Sequence, residues 1–331
     1  MKTSVAILLA LVVLQCGLGG ATLAQPSNSC STSFVISFSG PVPIGWNCVG
    51  WGDFVFLSIC TIPNTKCAPP PPPGGGGCPA CGSPISLATG NTYFEQIDLK
   101  IPGLGSGLKL ARTWNSQWPS SLASQVGLFG PNWRSTYEER VFLGSDDYMR
   151  YARGDGSFWS FGAGGPGWQS AAPANAGATL VQGLSYWTLT LKNGEQRLFD
   201  INSGSLTKII DRNGNTTQLT YDGLNRLVTV TDPVSRHLTF TYPNNSSFLV
   251  TGVTSDVGLS LTYAYDSQNR LSQVTKPDLT TLTFQYDSNS MITAVLDANG
   301  KVLESHTYDS SQRGLTSSRA GGVEAVTISY Q

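Results

Sequence analysis

The sequence predicts an all-β fold, an antiparallel β-hairpin repeat array preceded by a small disulfide-rich module. Three observations predict it. An aromatic recurs at Phe199, Tyr221, Tyr242, Tyr265, Tyr286, Tyr308 and Tyr330, at intervals of 21 to 23 residues. Within each interval apolar and polar residues alternate, as in Leu238-Thr-Phe240-Thr-Tyr242, Leu282-Thr-Phe284-Gln-Tyr286 and Val326-Thr-Ile328-Ser-Tyr330. Six cysteines crowd into one short stretch near the N-terminus. A fixed period sets the architecture first, because units of this size bury an apolar face only by stacking on their neighbours. Period-two alternation of Thr, aromatic and β-branched residues marks half-buried strands.

Each element of the repeat follows from its residues. Leu227-x-x-Val230 and Leu271-x-x-Val274 open the unit, and Leu206-x-x-Ile209 fits the same slot. Spacing three breaks strict alternation, which predicts a bulge or strong local twist. Asp222-Gly223, Asp211-Arg-Asn213-Gly214, Asp297-Ala-Asn299-Gly300 and Asp232-Pro233 supply turns, with Asn-Gly favouring the left-handed backbone of tight hairpins. One unit is therefore about two antiparallel strands.

Two copies, Tyr221–Tyr242 (YDGLNRLVTVTDPVSRHLTFTY) and Tyr265–Tyr286 (YDSQNRLSQVTKPDLTTLTFQY), align without gaps. Their Tyr-Asp-x-x-Asn-Arg-Leu-x-x-Val-Thr core resembles the tyrosine-aspartate (YD) repeat of the RHS family. Weaker copies start at Tyr286-Asp287 and Tyr308-Asp309. Residues 82–161 carry Ala88-Thr-Gly-Asn91, Asp98-Leu-x-Ile-Pro-Gly103, Leu110-x-Arg-Thr-x-Asn115 and Gly127-x-x-Gly130-Pro-x-Trp133, which resemble the domain that precedes RHS repeats. The resemblance implies a spiralling β-sheet, a partial β-shell here, that in large family members closes around a C-terminal toxin released by self-cleavage.

The chain has 331 residues, enough for two or three domains. Residues 1–24 read as a secretory signal: Lys2, an apolar run from Val5 to Val13, and Thr22-Leu-Ala24 before the cleavage point. Gln15 is a poor neighbour for lipidation at Cys16. The apolar run is too short to span a membrane, and no later segment could. Residues 25–68 form the Cys-rich module, 69–77 a Pro/Gly linker, 78–196 the opening β-domain and 197–331 about six YD repeats. Five prolines make a semi-rigid rod and four glycines a joint. Residues 162–184, rich in Gly, Ala, Pro and Ser, read as a loop. The hairpin Tyr186–Leu191, Lys192-Asn-Gly194-Glu195 and Arg197–Phe199 leads into the array.

Cys30, Cys48, Cys60, Cys67, Cys78 and Cys81 read as up to three structural disulfides of unassigned pairing in an exported protein. Cys78-Pro-Ala-Cys81 lacks the helix start of a redox pair, and no second pair has zinc spacing.

Candidate chemistry is sparse. His237 and His306, the two histidines, occupy different slots of the repeat and read as strand residues. Asp211-x-Asn213-x-Asn215 resembles the start of a calcium loop, but Thr216 replaces the sixth-position glycine. Glu138 and Glu139 read as solvated strand charges, and Arg153-Gly154-Asp155 as a hairpin turn. With net charge −1 and 12% charged residues, no basic stripe exists to bind nucleic acid.

No catalytic residue, metal site or cofactor is expected. The sequence therefore reads as a secreted or cell-surface bacterial protein with a structural or interaction role. Two alternatives are the N-terminal shell part of a toxin-delivery protein for intercellular competition, and a carbohydrate-binding adhesin using its eight tryptophans. Expected partners are a toxin or further repeats encoded downstream, surface glycans, or a second copy paired through the Val326–Tyr330 edge strand. The array stops at Gln331 and lacks the family's Pro-x-Gly-Leu-type closing segment. This fits either a piece of a longer product or a short relative working as an open sheet.

Overall fold

A computed structural model describes residues 34–36, 47–49, 58–61, 85–86, 89–117, 126–164 and 167–330. Strands Phe34–Ile36, Asn47–Val49 and Ser58–Thr61 form a small antiparallel sheet with the third in the middle. The leader, the Pro/Gly linker and the cysteine side chains lie outside the described residues.

The opening sheet is Tyr93–Ile101, Leu108–Asn115 and Trp133–Ser135, in sequence order and antiparallel. Its first strand is bulged: Ile97 pairs with Ala111 and Leu99 with Leu110, so Asp98 has no partner across the ladder. A bulge re-aims side chains. Here it turns both Asp98 and Leu99 inward and leaves Ile97 exposed.

The second sheet runs from Arg140–Leu143 to Val323–Thr327, each strand antiparallel to the next in sequence. It closes on itself. Val141 N donates to Gly204 O at 2.9 Å, Leu206 N donates to Glu139 O at 3.2 Å, and Arg140 bridges to Ser205. Gly204 has φ +68°, and a Cβ there would run into the Val141 carbonyl. The ring closes here at the 200–206 turn, while the last strand, Val323–Thr327, is paired on one side among the described residues, with Gly314–Arg319, so the later repeats keep the open edge expected of them.

Inside the repeats, the expected bulges are present. Tyr221 pairs with Leu227 but Thr220 with Thr229, Tyr265 with Leu271 but Ala264 with Gln273, and Tyr286 with Ile292 but Gln285 with Ala294. The extra residue lets Leu227 and Val230, or Leu271 and Val274, face inward together at spacing three. Inward residues Leu219, Leu238, Phe240, Val253, Leu261, Phe284 and Val295 are buried, while Thr220, Thr241 and Thr262 face out. The opening sheet packs on this inward face through Phe94, Phe129 and Trp133.

Three expectations change. Residues 162–184 are not a loop: Phe158–Gly164, Gly167–Ala172 and Thr179–Gln182 are paired strands. Neighbouring ladders supply the hydrogen bonds, and fully buried Leu180 anchors the segment, overriding its weak propensity. The Asp-started turns are not Asn-Gly turns with two left-handed residues. Only the fourth residue has positive φ, as in Gly214, Asn225, Asn269 and Gly300, which is a type I turn closed by a left-handed residue. The last strand is Val323–Thr327, so Ile328 and Tyr330 fall outside it.

Candidate functional site

The repeat's signature residues form one recurring device. Asp222 Oδ1 accepts from the backbone N–H groups of Leu224 and Arg226, and its Oδ2 accepts from Arg226 Nε at 2.7 Å. Asp266 and Arg270 repeat this, as do Asp309 and Arg313. Each arginine then lies over the next repeat's tyrosine: Arg226 over Tyr242 at 4.5 Å, Arg270 over Tyr286 at 4.6 Å, and Arg313 over Tyr330 at 4.1 Å. Each tyrosine hydroxyl donates to a backbone carbonyl 15 or 16 residues back. The pairs are Tyr221 to Leu206, Tyr242 to Leu227, Tyr265 to Val250, Tyr286 to Leu271, Tyr308 to Ile292 and Tyr330 to Gly314. Those acceptors include the bulge-opening Leu206, Leu227 and Leu271. Burial pushes the Tyr286 hydroxyl up to about 12, so these groups stay protonated donors. Phe199, the first marker, has no hydroxyl and is instead fully buried beside Tyr151 at 5.8 Å.

A buried ionic centre joins the two sheets. Arg112, on the second opening strand, donates to both Asp98 oxygens, at 2.5 and 2.8 Å. Tyr263 of the repeats donates to the same Asp98 at 2.9 Å. The guanidinium is packed by Trp133 at 4.6 Å, Phe129 at 5.5 Å, Tyr263 at 5.6 Å and Phe284 at 5.9 Å. Burial, reinforced by the Asp98 charge, raises the Tyr263 hydroxyl well above its ordinary range. Both side chains are buried, and the two charges are paired with each other.

Two hooks flank it. Val250 N donates to Leu128 O at 2.9 Å, and Tyr265 Oη, whose shorter bond is to Val250 O, lies 3.3 Å from the same carbonyl, so the 127–130 loop of the opening domain is tied to the repeat sheet. Glu138 Oε1 holds that loop through Leu128 N at 2.6 Å. At the other end Phe94 stacks on His306 at 6.0 Å, and Gly314 N donates to Gly90 O.

The other candidate residues serve structure. His237 sits 3.4 Å from Asp256 on a half-exposed surface, and His306 is buried opposite Ser317, so the two histidines are not brought together. Asp211 accepts from Asn213 N, Asn215 N and Asn215 Nδ2, which makes it a turn cap. Arg153 and Asp155 pair with each other at 3.1 Å, and Asp155 caps Ser157. Glu138 and Glu139 are not solvated. They lie in the short link between two strands rather than in one, and Glu139 accepts from Tyr151 Oη at 2.7 Å and Arg197 Nε at 3.1 Å. Among the described residues, no group of three His, Cys, Asp or Glu side chains could hold a metal.

Family models match in the same two places. Residues 82–161 match a domain of unknown function, DUF6531, and residues 203–237 match the RHS repeat. The chain carries an RHS repeat. The DUF6531 match contains Asp98, Arg112 and Trp133 of the ionic centre, and the RHS-repeat match contains Tyr221, Asp222 and Arg226 of the turn device. Curated relatives include tRNA nuclease WapA of Bacillus subtilis (strain 168) and tRNA3(Ser)-specific nuclease WapA of Bacillus spizizenii. Each is 32% identical over 140 residues, covering 42% of this chain and 6% of the relative. This RHS-repeat chain therefore spans a small fraction of the proteins it matches. Among solved structures, TcdB2-TccC3 matches 70% of this chain and 12% of its own, at 15% identity and a TM-score of 0.29. TcdB2-TccC3-TEV matches at 14% identity and a TM-score of 0.28.

Proposed function

We propose that this chain is an exported structural and interaction protein, without catalysis of its own, that serves as the N-terminal part of a toxin-delivery shell. The observation that carries the scaffold reading is the Asp98–Arg112–Tyr263 centre. Its charged and hydroxyl groups bond one another across the two sheets and present nothing to a substrate. Two clefts, one lined by Glu95, Glu139 and Asp155 and one by Phe142, Met149 and Trp187, measure about 160 and 250 Å³. Both are below the usual range for ligand pockets. The signal-like first 24 residues favour export. The delivery reading is favoured by the 140-residue likeness to relatives named as nucleases, of which this chain spans only 6%.

The test is a nuclease assay on the full chain recovered from the culture medium of an expressing bacterium. We expect intact tRNA after incubation with pure protein. Cleavage that co-purifies with the chain through successive columns would end the non-catalytic reading, and retention of the chain inside the cell would end the export reading.

A further inference from the structure

One cross-strand pair recurs on the inner face of the repeats. The residue two positions before a marker tyrosine faces a valine on the next strand: Leu219 with Val230, Phe240 with Val253, Tyr263 with Val274 and Phe284 with Val295. All eight are buried. Before Tyr308 the same slot holds His306, and its partner is Ser317. The last pair of the series is therefore polar where the earlier four are built on valine.

The exchange does not bring the pair to the surface. His306 is 2% exposed and Ser317 1%. Neither ring nitrogen of His306 has a hydrogen-bond partner among the described residues, and neither does Ser317 Oγ. Glu304 Oε2 lies 3.7 Å from His306 Nε2, beyond hydrogen-bond distance. Phe94 of the opening sheet lies parallel to the imidazole at 6.0 Å and offers it no polar atom. Buried polar groups are bonded to protein or to ordered water in nearly every case. A His–Ser pair is also smaller than a Phe–Val pair by more than the roughly 30 Å³ that one water occupies in the liquid.

We propose that this pair is an internal hydration site, in which one ordered water bridges a ring nitrogen of His306 and Ser317 Oγ inside the core. An imidazole donates from one nitrogen and accepts at the other, and a hydroxyl does both, so a water completes the bridge with either tautomer. Glu304 Oε2 is near enough to serve as a third partner, within the usual range of about two to four for a buried water. The valine pairs of the earlier repeats are dry by the same reasoning, because they present no polar atom.

A crystal structure of the full chain that shows ordered waters tests this. We expect one water within about 3.2 Å of both His306 and Ser317 Oγ, and none between Phe284 and Val295. A site without water, whether empty or closed by a direct His306–Ser317 bond, overturns the proposal. In the double variant His306→Phe with Ser317→Val the water should be gone; a water that persists there is held by other groups and also overturns it. Calorimetry of Ser317→Ala gives a second readout. The variant should melt about 3 °C lower, because the water loses a partner and the ring nitrogen its relay. An unchanged or higher melting temperature would mean that the hydroxyl is unbonded in the folded chain, and the proposal fails.

Discussion

Glu138 shows how a residue's role can invert between sequence and structure. Read locally, Glu138-Glu139 is an exposed acidic pair. In the fold, burial raises the Glu138 carboxyl above the ordinary range, against the opposing pull of Arg134, and burial also lowers Arg134. The folded chain thus holds the Glu138 proton more tightly than the unfolded chain. Its stabilising contribution is complete below the unfolded carboxylate range and is lost as pH rises through the raised value. Glu138→Gln keeps an oxygen for Leu128 N–H and removes the ionisation. We expect the variant to lose less stability than wild type between about pH 5 and pH 8, read as urea midpoints across that range. Parallel pH profiles would count against it. The turn aspartates have the opposite sign. Asp222 is held low, first by the Arg226 backbone N–H, so its contribution is present at neutral pH and is lost only on acidification through its lowered value.

At the scale of the element, the repeat was legible in part. Leu227-x-x-Val230 foretold the bulge, because two apolar residues at spacing three can share one face of a strand only if an extra residue intervenes. The aromatic period foretold the strand ends. The tyrosine's partner was not legible: Tyr286 Oη reaches Leu271 O across the intervening hairpin, a geometry that spacing alone does not encode. Tyr286→Phe should leave that carbonyl short of a donor and cost about 1 kcal/mol by urea denaturation, with an unchanged β-sheet circular dichroism spectrum. A loss indistinguishable from zero would mean the hydroxyl is incidental and the ring alone matters. Gly223 also misled, unlike Gly214 and Gly300. The left-handed residue is the fourth of the turn, so Asn225 carries the demand and Gly223 does not.

At the scale of the molecule, the opening sheet and the repeats share one core. Phe94, Phe129 and Trp133 interleave with Phe284 and Tyr263, and backbone pairing runs without a break across residues 196 and 197. The two parts should therefore unfold in a single calorimetric transition. Arg112→Met strands the Asp98 carboxylate in that core and should lower stability by about 3–5 kcal/mol while keeping one transition. Two separated transitions in the wild type would show that the sheets are independent units.

The sequence by itself determined the class and the period: alternation selects strands, Asp-led turns fold them into hairpins, and units too small to bury their own faces must stack. These are local properties, written within about 22 residues. Only the tertiary structure decided how the array is sealed. The Asp98 bulge, the Arg112 cage, the Tyr263 bond spanning 165 residues and the Gly204 seam join positions far apart in the chain. Their pairing depends on sheet curvature and burial, which no short stretch of sequence records.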